Sequence, residues 1–104
     1  MGLVLPEVHS QEVIDRLRSQ YREIILSYFQ TDPAPMVEKF VADAFQANLA
    51  TSDLISIHIE VMDELGQQLR AEGRNPEILL DYRIALIDVI SHLCERYRRC
   101  LSSH

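Results

Sequence analysis

His58, His92, Cys94, Cys100 and the carboxylates around them are the side chains with reactive potential in this 104-residue chain. Asp88 and His92 lie four positions apart, so on a helix they share a face and could meet each other or one metal ion. A helical carboxylate metal site needs further ligands, such as Glu-x-x-His motifs on two different helices. No Glu-x-x-His occurs in the sequence. His58 and Glu60 are two apart and diverge on a helix, as do His92 and Cys94, which removes a cysteine–histidine nucleophile pair. Six helical steps between Cys94 and Cys100 rotate by about 600° and rise about 9 Å, beyond the Cα limit of about 7 Å for a disulfide. Both are expected as reduced, semi-buried thiols of a cytoplasmic protein. Gly-x-Ser-x-Gly, Walker and glycine-rich phosphate loops are absent, and the chain holds only three glycines. These residues therefore predict no enzyme, no metal and no cofactor.

The elements that position them are helical. One domain fits the length, and 47% hydrophobic with 25% charged residues is ordinary globular composition. Scarce glycine and proline argue against an all-β chain. No apolar run reaches the roughly 20 residues of a membrane span, and the N-terminus lacks a basic, apolar leader. A formal net charge of −6 disfavours nucleic acid, whose phosphates reward a basic surface. Only one of ten basic residues, Lys39, is lysine. Arginine's planar fork suits bidentate carboxylate contacts, so this bias mildly favours protein partners.

Four helices are predicted. The first runs from about Ser10, its N-cap, to Gln30, with a stripe of Ile14, Leu17, Tyr21, Ile24 and Tyr28. Thr31-Asp32-Pro33 stops it. The second spans Pro35 to Asn48 and buries Met36, Val37, Phe40, Val41, Ala44 and Phe45, with Asn48 suited to a left-handed terminus. The third spans Thr51 to Glu72, capped by Thr51 or Ser52, and ends at Gly73. Leu54, Ile57, Val61, Leu65 and Leu69 are its stripe, and His58 is placed at the core edge. The fourth spans Pro76 to Cys100 after an Asn75 cap. Residues 1–9 form an N-terminal arm with an apolar Leu3-Val4-Leu5, residues 10–101 the helical domain and residues 102–104 a frayed tail.

Helix four carries two apolar stripes. One is Leu79, Leu86, Ile90, Leu93 and Tyr97; the other is Leu80, Ile84, Ile87, Cys94 and Leu101. Its polar remainder is narrow: Asp81, Asp88 and Glu95 recur every seven residues, flanked by Ala85, His92 and Arg99. A helix in a small bundle buries one stripe. At about 25 cal/mol per Å² of apolar area, leaving the second in water forgoes several kcal/mol. The pattern predicts an all-α, antiparallel four-helix bundle that forms a homodimer, with Leu80, Ile84, Ile87, Cys94 and Leu101 at the interface. Arg83 and Arg96, on this otherwise apolar helix, either rim that interface or form intrachain ion pairs. Arg96, Arg98 and Arg99 also complement the negative end of the helix dipole.

Glu72-Gly73-Arg74-Asn75, Ile78-Leu79-Leu80-Asp81-Tyr82-Arg83, Leu86-Ile87-Asp88-Val89-Ile90, His92-Leu93-Cys94-Glu95 and Tyr97-Arg98-Arg99 together resemble the C-terminal domain of the cyanobacterial circadian clock family KaiA. Ile57-His58-Ile59-Glu60-Val61-Met62-Asp63 and Tyr28-Phe29-Gln30-Thr31-Asp32 fit the same pattern, so the resemblance covers about Val13 to Arg99. It implies a homodimeric helical domain without catalysis. That domain holds the C-terminal tail of the clock kinase KaiC in a groove at the dimer surface and stimulates the kinase's autophosphorylation. KaiB is a further expected partner within a clock complex. The family's binding-surface histidine falls on His92. Asp88, Glu95 and Arg96 are rim candidates from helical geometry. Longer family members carry a pseudo-receiver domain and linker that this sequence lacks. The alternatives are a naturally short member and an excised domain, and Met1 without a tag favours the first. The competing functional class is a structural dimerisation module that tethers a protein without regulating an enzyme.

Overall fold

The computed structural model describes residues 10–102, which form four α-helices, one 3-10 segment and no strand. The N-terminal arm, with Leu3-Val4-Leu5, lies outside the described residues, as do Ser103 and His104. Helix α1 is Gln11–Ser27, α2 Ala34–Gln46, α3 Thr51–Ala71 and α4 Arg83–Ser102, with the 3-10 segment Pro76–Tyr82 between α3 and α4.

The expected punctuation is largely in place. Ser10 caps α1, its hydroxyl accepting from the Val13 N–H at 3.2 Å. Asn48 takes a left-handed φ of 58° after α2, and Gly73 a φ of 73° after α3. Several boundaries differ: α2 ends at Gln46 rather than Asn48, and α4 runs on through Ser102, which was expected in the frayed tail. Helix α1 ends at Ser27 rather than Gln30, because the Tyr28 N–H turns to the Ile25 carbonyl and the last turn tightens to 3-10 geometry. The residue that caps α3 is Ala50, not Thr51 or Ser52; the Asp53 carboxylate reaches back to accept from the Ala50 N–H at 3.0 Å. The fourth helix is not continuous from Pro76. Asn75 caps it as expected, accepting from the Glu77 N–H at 3.0 Å, but residues 76–82 wind as 3-10 before α4 begins.

Side-chain pairings fix the topology. Gln20 donates to Asp43 and Ser27 to Met36, so α1 and α2 run antiparallel. Arg18 meets Glu60 at 2.8 Å and Arg22 approaches Glu64 at 3.9 Å, so α1 and α3 run parallel. The Tyr97 hydroxyl donates to the Leu49 carbonyl, just before α3, at 2.8 Å, so α4 returns antiparallel to α3. This is an up-down-up-down antiparallel four-helix bundle.

Its core combines Leu17, Tyr21, Ile24 and Ile25 of α1 with Val37, Phe40, Val41 and Ala44 of α2 and Leu54, Ile57, Val61 and Leu65 of α3. Helix α4 contributes Ala85, Val89 and Leu93. Ala85, read from sequence as flanking the polar residues of helix four, is fully buried. The stripe Leu79, Leu86, Ile90 and Tyr97 flanks that core as partly buried side chains. His58 is 7% exposed, and its Nδ1 meets the Tyr21 hydroxyl at 2.6 Å.

Candidate functional site

The helical period of α4 sorts its residues into three faces. Ala85, Val89 and Leu93 face the core. Asp88 and His92 lie one turn apart on a flank, and the adjacent Glu95 and Arg96 follow one turn on from His92. On the outward side lie Ile84, 57% exposed, Ile87, 64%, and Leu101, 76%, continuing from Leu80 at 55% in the 3-10 segment. Cys94 belongs to this outward side and is exposed, as is Cys100. The semi-buried placement expected for both thiols is thus corrected: cysteine's usual preference for the interior is not met at either position.

Along the flank, His92 is half-exposed at its side chain. Its Nδ1 lies 2.8 Å from the Asp88 backbone carbonyl and 3.1 Å from Asp88 Oδ1. The other Asp88 oxygen, Oδ2, accepts from the Tyr28 hydroxyl at 2.8 Å. Burial, helped by the Asp88 carboxylate, pushes the Tyr28 phenol up to about 12, so it remains a donor across the physiological range. Tyr28 meets the Phe29 ring edge-on at 5.1 Å, and Phe29 leans on Tyr82 at 5.3 Å. Glu95 turns along the helix to Arg98 at 3.0 Å and Arg99 at 3.6 Å. Its hydrogen bond and charge contact with Arg98 hold the carboxyl below its usual range.

Arg96 lies with its guanidinium 5.4 Å from the Phe45 ring centroid, and Phe45 packs on Tyr97 at 5.0 Å. That is a cation–π contact rather than the ion pair weighed from sequence. Arg83 donates from Nε to the Leu80 carbonyl at 3.0 Å and so closes the 3-10 segment. Of the four predicted residues, Asp88 and His92 are brought into contact beside the exposed apolar face, whereas Glu95 turns to Arg98 and Arg99 and Arg96 to Phe45. Tyr28, three residues from a proline-terminated turn and read from sequence as core stripe, joins the site through its hydroxyl. The available signal was chemical: tyrosine has an apolar body and a polar tip that seeks a partner when half-buried.

Among the described residues no three His, Cys, Asp or Glu side chains converge as a metal site. No described helix is long and apolar enough to cross a membrane. A groove of about 380 Å³ lies between α1, α3 and the 3-10 segment and is lined by Arg22, Leu26, Leu69, Ile78 and Tyr82 among others. None of the four flank residues lines it.

Comparison with known proteins gives a consistent result. A family model described as the KaiA C-terminal domain matches residues 3–104. The chain is 49% identical over 94 residues to the circadian clock oscillator protein KaiA of Nostoc sp., covering 88% of this chain and 92% of that protein. It is 52% identical over 93 residues to the KaiA of Synechocystis sp., again covering 88% of this chain but 31% of the longer relative. Among solved structures, the C-terminal domain of Thermosynechococcus elongatus BP-1 KaiA superimposes with a TM-score of 0.79 at 50% identity, covering 86% of each chain. KaiA from PCC7120 superimposes with a TM-score of 0.77 at 44% identity, covering 88% of this chain and 96% of that one.

Proposed function

The chain belongs to the KaiA C-terminal domain family, and from that premise we propose that it is a cytoplasmic circadian clock regulator acting by capture rather than catalysis. Two copies pair through Leu80, Ile84, Ile87, Cys94 and Leu101 and form a groove between them. The groove holds the C-terminal tail of the clock kinase KaiC and so stimulates its autophosphorylation, with KaiB as a further partner in the clock complex. His92 contacts the tail, and Asp88, Glu95 and Arg96 form the rim. One observation carries this reading: an exposed apolar face on α4 runs directly beside an exposed histidine held in a hydrogen-bond network.

The physics of stimulation follows. A tail that restrains the kinase when docked is in equilibrium with its released form. A binder of the released form shifts that equilibrium by its difference in affinity for the two. Moving it from 1:99 to 99:1 takes about 5.5 kcal/mol. A groove shared by two subunits supplies more contact than a half-groove and loses it on dissociation.

His92→Ala tests the reading. Surface substitutions away from special features change stability by within about 0.5 kcal/mol, so the variant keeps its helical circular dichroism and melting curve. Titration calorimetry against a synthetic KaiC tail peptide is expected to show at least a roughly tenfold weaker affinity, equivalent to about 1.4 kcal/mol. An unchanged affinity removes His92 from the binding surface.

A further inference from the structure

We propose that Tyr28 and Asp88 are positioning residues for His92: they fix its neutral imidazole with the proton on Nδ1, so that Nε2 offers a lone pair to an N–H or O–H donor on the captured segment. The part concerning the captured segment rests on the function proposed above; the part concerning the proton does not.

The argument is one of hydrogen-bond polarity. Nδ1 has two oxygens within reach, the Asp88 carbonyl at 2.8 Å and Asp88 Oδ1 at 3.1 Å. Both are acceptors only, since a backbone carbonyl has no proton and an ionised carboxylate has none. A lone pair on Nδ1 would face two other lone pairs, whereas a proton there is shared favourably with both. A neutral imidazole carries a single N–H, so Nε2 is then the acceptor. Among the described residues Nε2 makes no hydrogen bond, and the ring is half-exposed.

Tyr28 secures the arrangement from the other side. Its hydroxyl donates to Asp88 Oδ2 at 2.8 Å, which holds the carboxylate plane and leaves Oδ1 directed at His92. The Tyr28 ring is itself braced by Phe29, and Phe29 by Tyr82. The relay therefore joins the end of α1, the 3-10 segment and α4. Its logic is that of a carboxylate setting the tautomer and orientation of a functional histidine, seen in metal and catalytic sites, applied here to a binding surface. The captured group is accordingly a donor, such as a backbone amide or a hydroxyl, and a bare carboxylate or carbonyl is disfavoured at this position.

The test begins on the intact chain without a ligand. Long-range ¹H–¹⁵N correlation spectra, recorded above the pH where histidine titrates, read the two ring nitrogens separately. The expected result is Nδ1 in the protonated range and Nε2 in the lone-pair range, opposite to the tautomer that free imidazole side chains favour. His92 in the Nε2–H form overturns the proposal whether or not any peptide binds. Tyr28→Phe, which keeps the ring and its packing, is expected to move His92 toward a mixture of tautomers and to weaken the KaiC tail peptide by roughly threefold to tenfold. An unchanged tautomer and affinity in that variant overturns the role of Tyr28. If His92→Ala binds peptide normally while the Nδ1–H spectrum is observed, the binding function fails and the positioning relay stands.

Discussion

A chain carrying Ile87→Asp is expected to sediment as a single copy at concentrations where the unmodified chain is paired. Ile87 is 64% exposed on its own chain and has no part in the core, so the substitution leaves the bundle folded. The effect is on association. Full burial of an isoleucine is worth about 1.5–3 kcal/mol. A two-fold pairing presents the same patch from both copies, so one substitution removes two such side chains, about 3–6 kcal/mol. Each 1.4 kcal/mol is about tenfold, so the dimer weakens by at least roughly a hundredfold, before counting two carboxylates placed in an apolar seam. Equilibrium sedimentation reads the change directly, and Ile87→Leu, which keeps the volume, retains pairing. The KaiC tail peptide loses affinity in parallel, because a split groove offers half of its contacts. An unmodified chain that stays single at micromolar levels, or an Ile87→Asp chain that stays paired, sinks the interface.

The outward face was legible because its residues are large. Leu80, Ile84, Ile87 and Leu101 repeat at helical intervals and could not be confused with a polar face. The inward face was harder to read. Ala85 adds little to any hydrophobic pattern, yet it is fully buried. A small side chain at such a position lets neighbouring helices approach closely, and α2 and α4 do pack against each other. Val89, also fully buried, belonged to neither of the two stripes. Periodicity finds stripes but does not say which of two stripes the rest of the chain will cover.

Winding within an element was also hidden. Asn75, Pro76 and Glu77 announce a helix start equally well whether the turns close at three residues or four. Packing of residues 76–82 against α3 is a tertiary fact. In the candidate site, the spacing of Asp88 and His92 was sufficient to predict their contact, because four helical steps bring them together. Tyr28 lies 60 positions from Asp88, and no local pattern encodes a contact at that separation. The ion-pair alternative for Arg96 failed for a related reason: its neighbours in sequence are charged, but its neighbour in space is Phe45.

Removing the Tyr21 side chain is expected to be the most damaging change to the fold itself. Tyr21 is fully buried, tilted against Phe40 at 5.8 Å and hydrogen-bonded to His58 Nδ1 at 2.6 Å. Truncating a buried aromatic to alanine costs about 3–5 kcal/mol, a large fraction of the 5–15 kcal/mol that holds a domain together. Tyr21→Phe keeps the packing and strands His58 Nδ1, at a cost of about 1–3 kcal/mol. The same pair makes stability depend on pH. Burial pushes the His58 imidazole below its ordinary value, and burial also keeps the Tyr21 phenol protonated. As pH falls below about 6.5 the unfolded chain takes up a proton that the folded chain still refuses. The unfolded state then binds more protons, so stability decreases on acidification, by at most about 1.4 kcal/mol per pH unit for this one group. Above the unfolded value the full stability is present. Asp15, Asp43 and Glu95 have carboxyls held low by hydrogen bonds, so their contribution is lost in the same direction but below the unfolded carboxylate values of about 3.9–4.3. Urea midpoints compared between about pH 7 and pH 5 therefore isolate the histidines. Exposed His92 is common to both chains when the unmodified protein is compared with His58→Gln. The slope should be steeper in the unmodified chain, and equal slopes would mean that His58 protonates as readily inside the bundle as outside it, which its contact with a phenol in an apolar core does not allow.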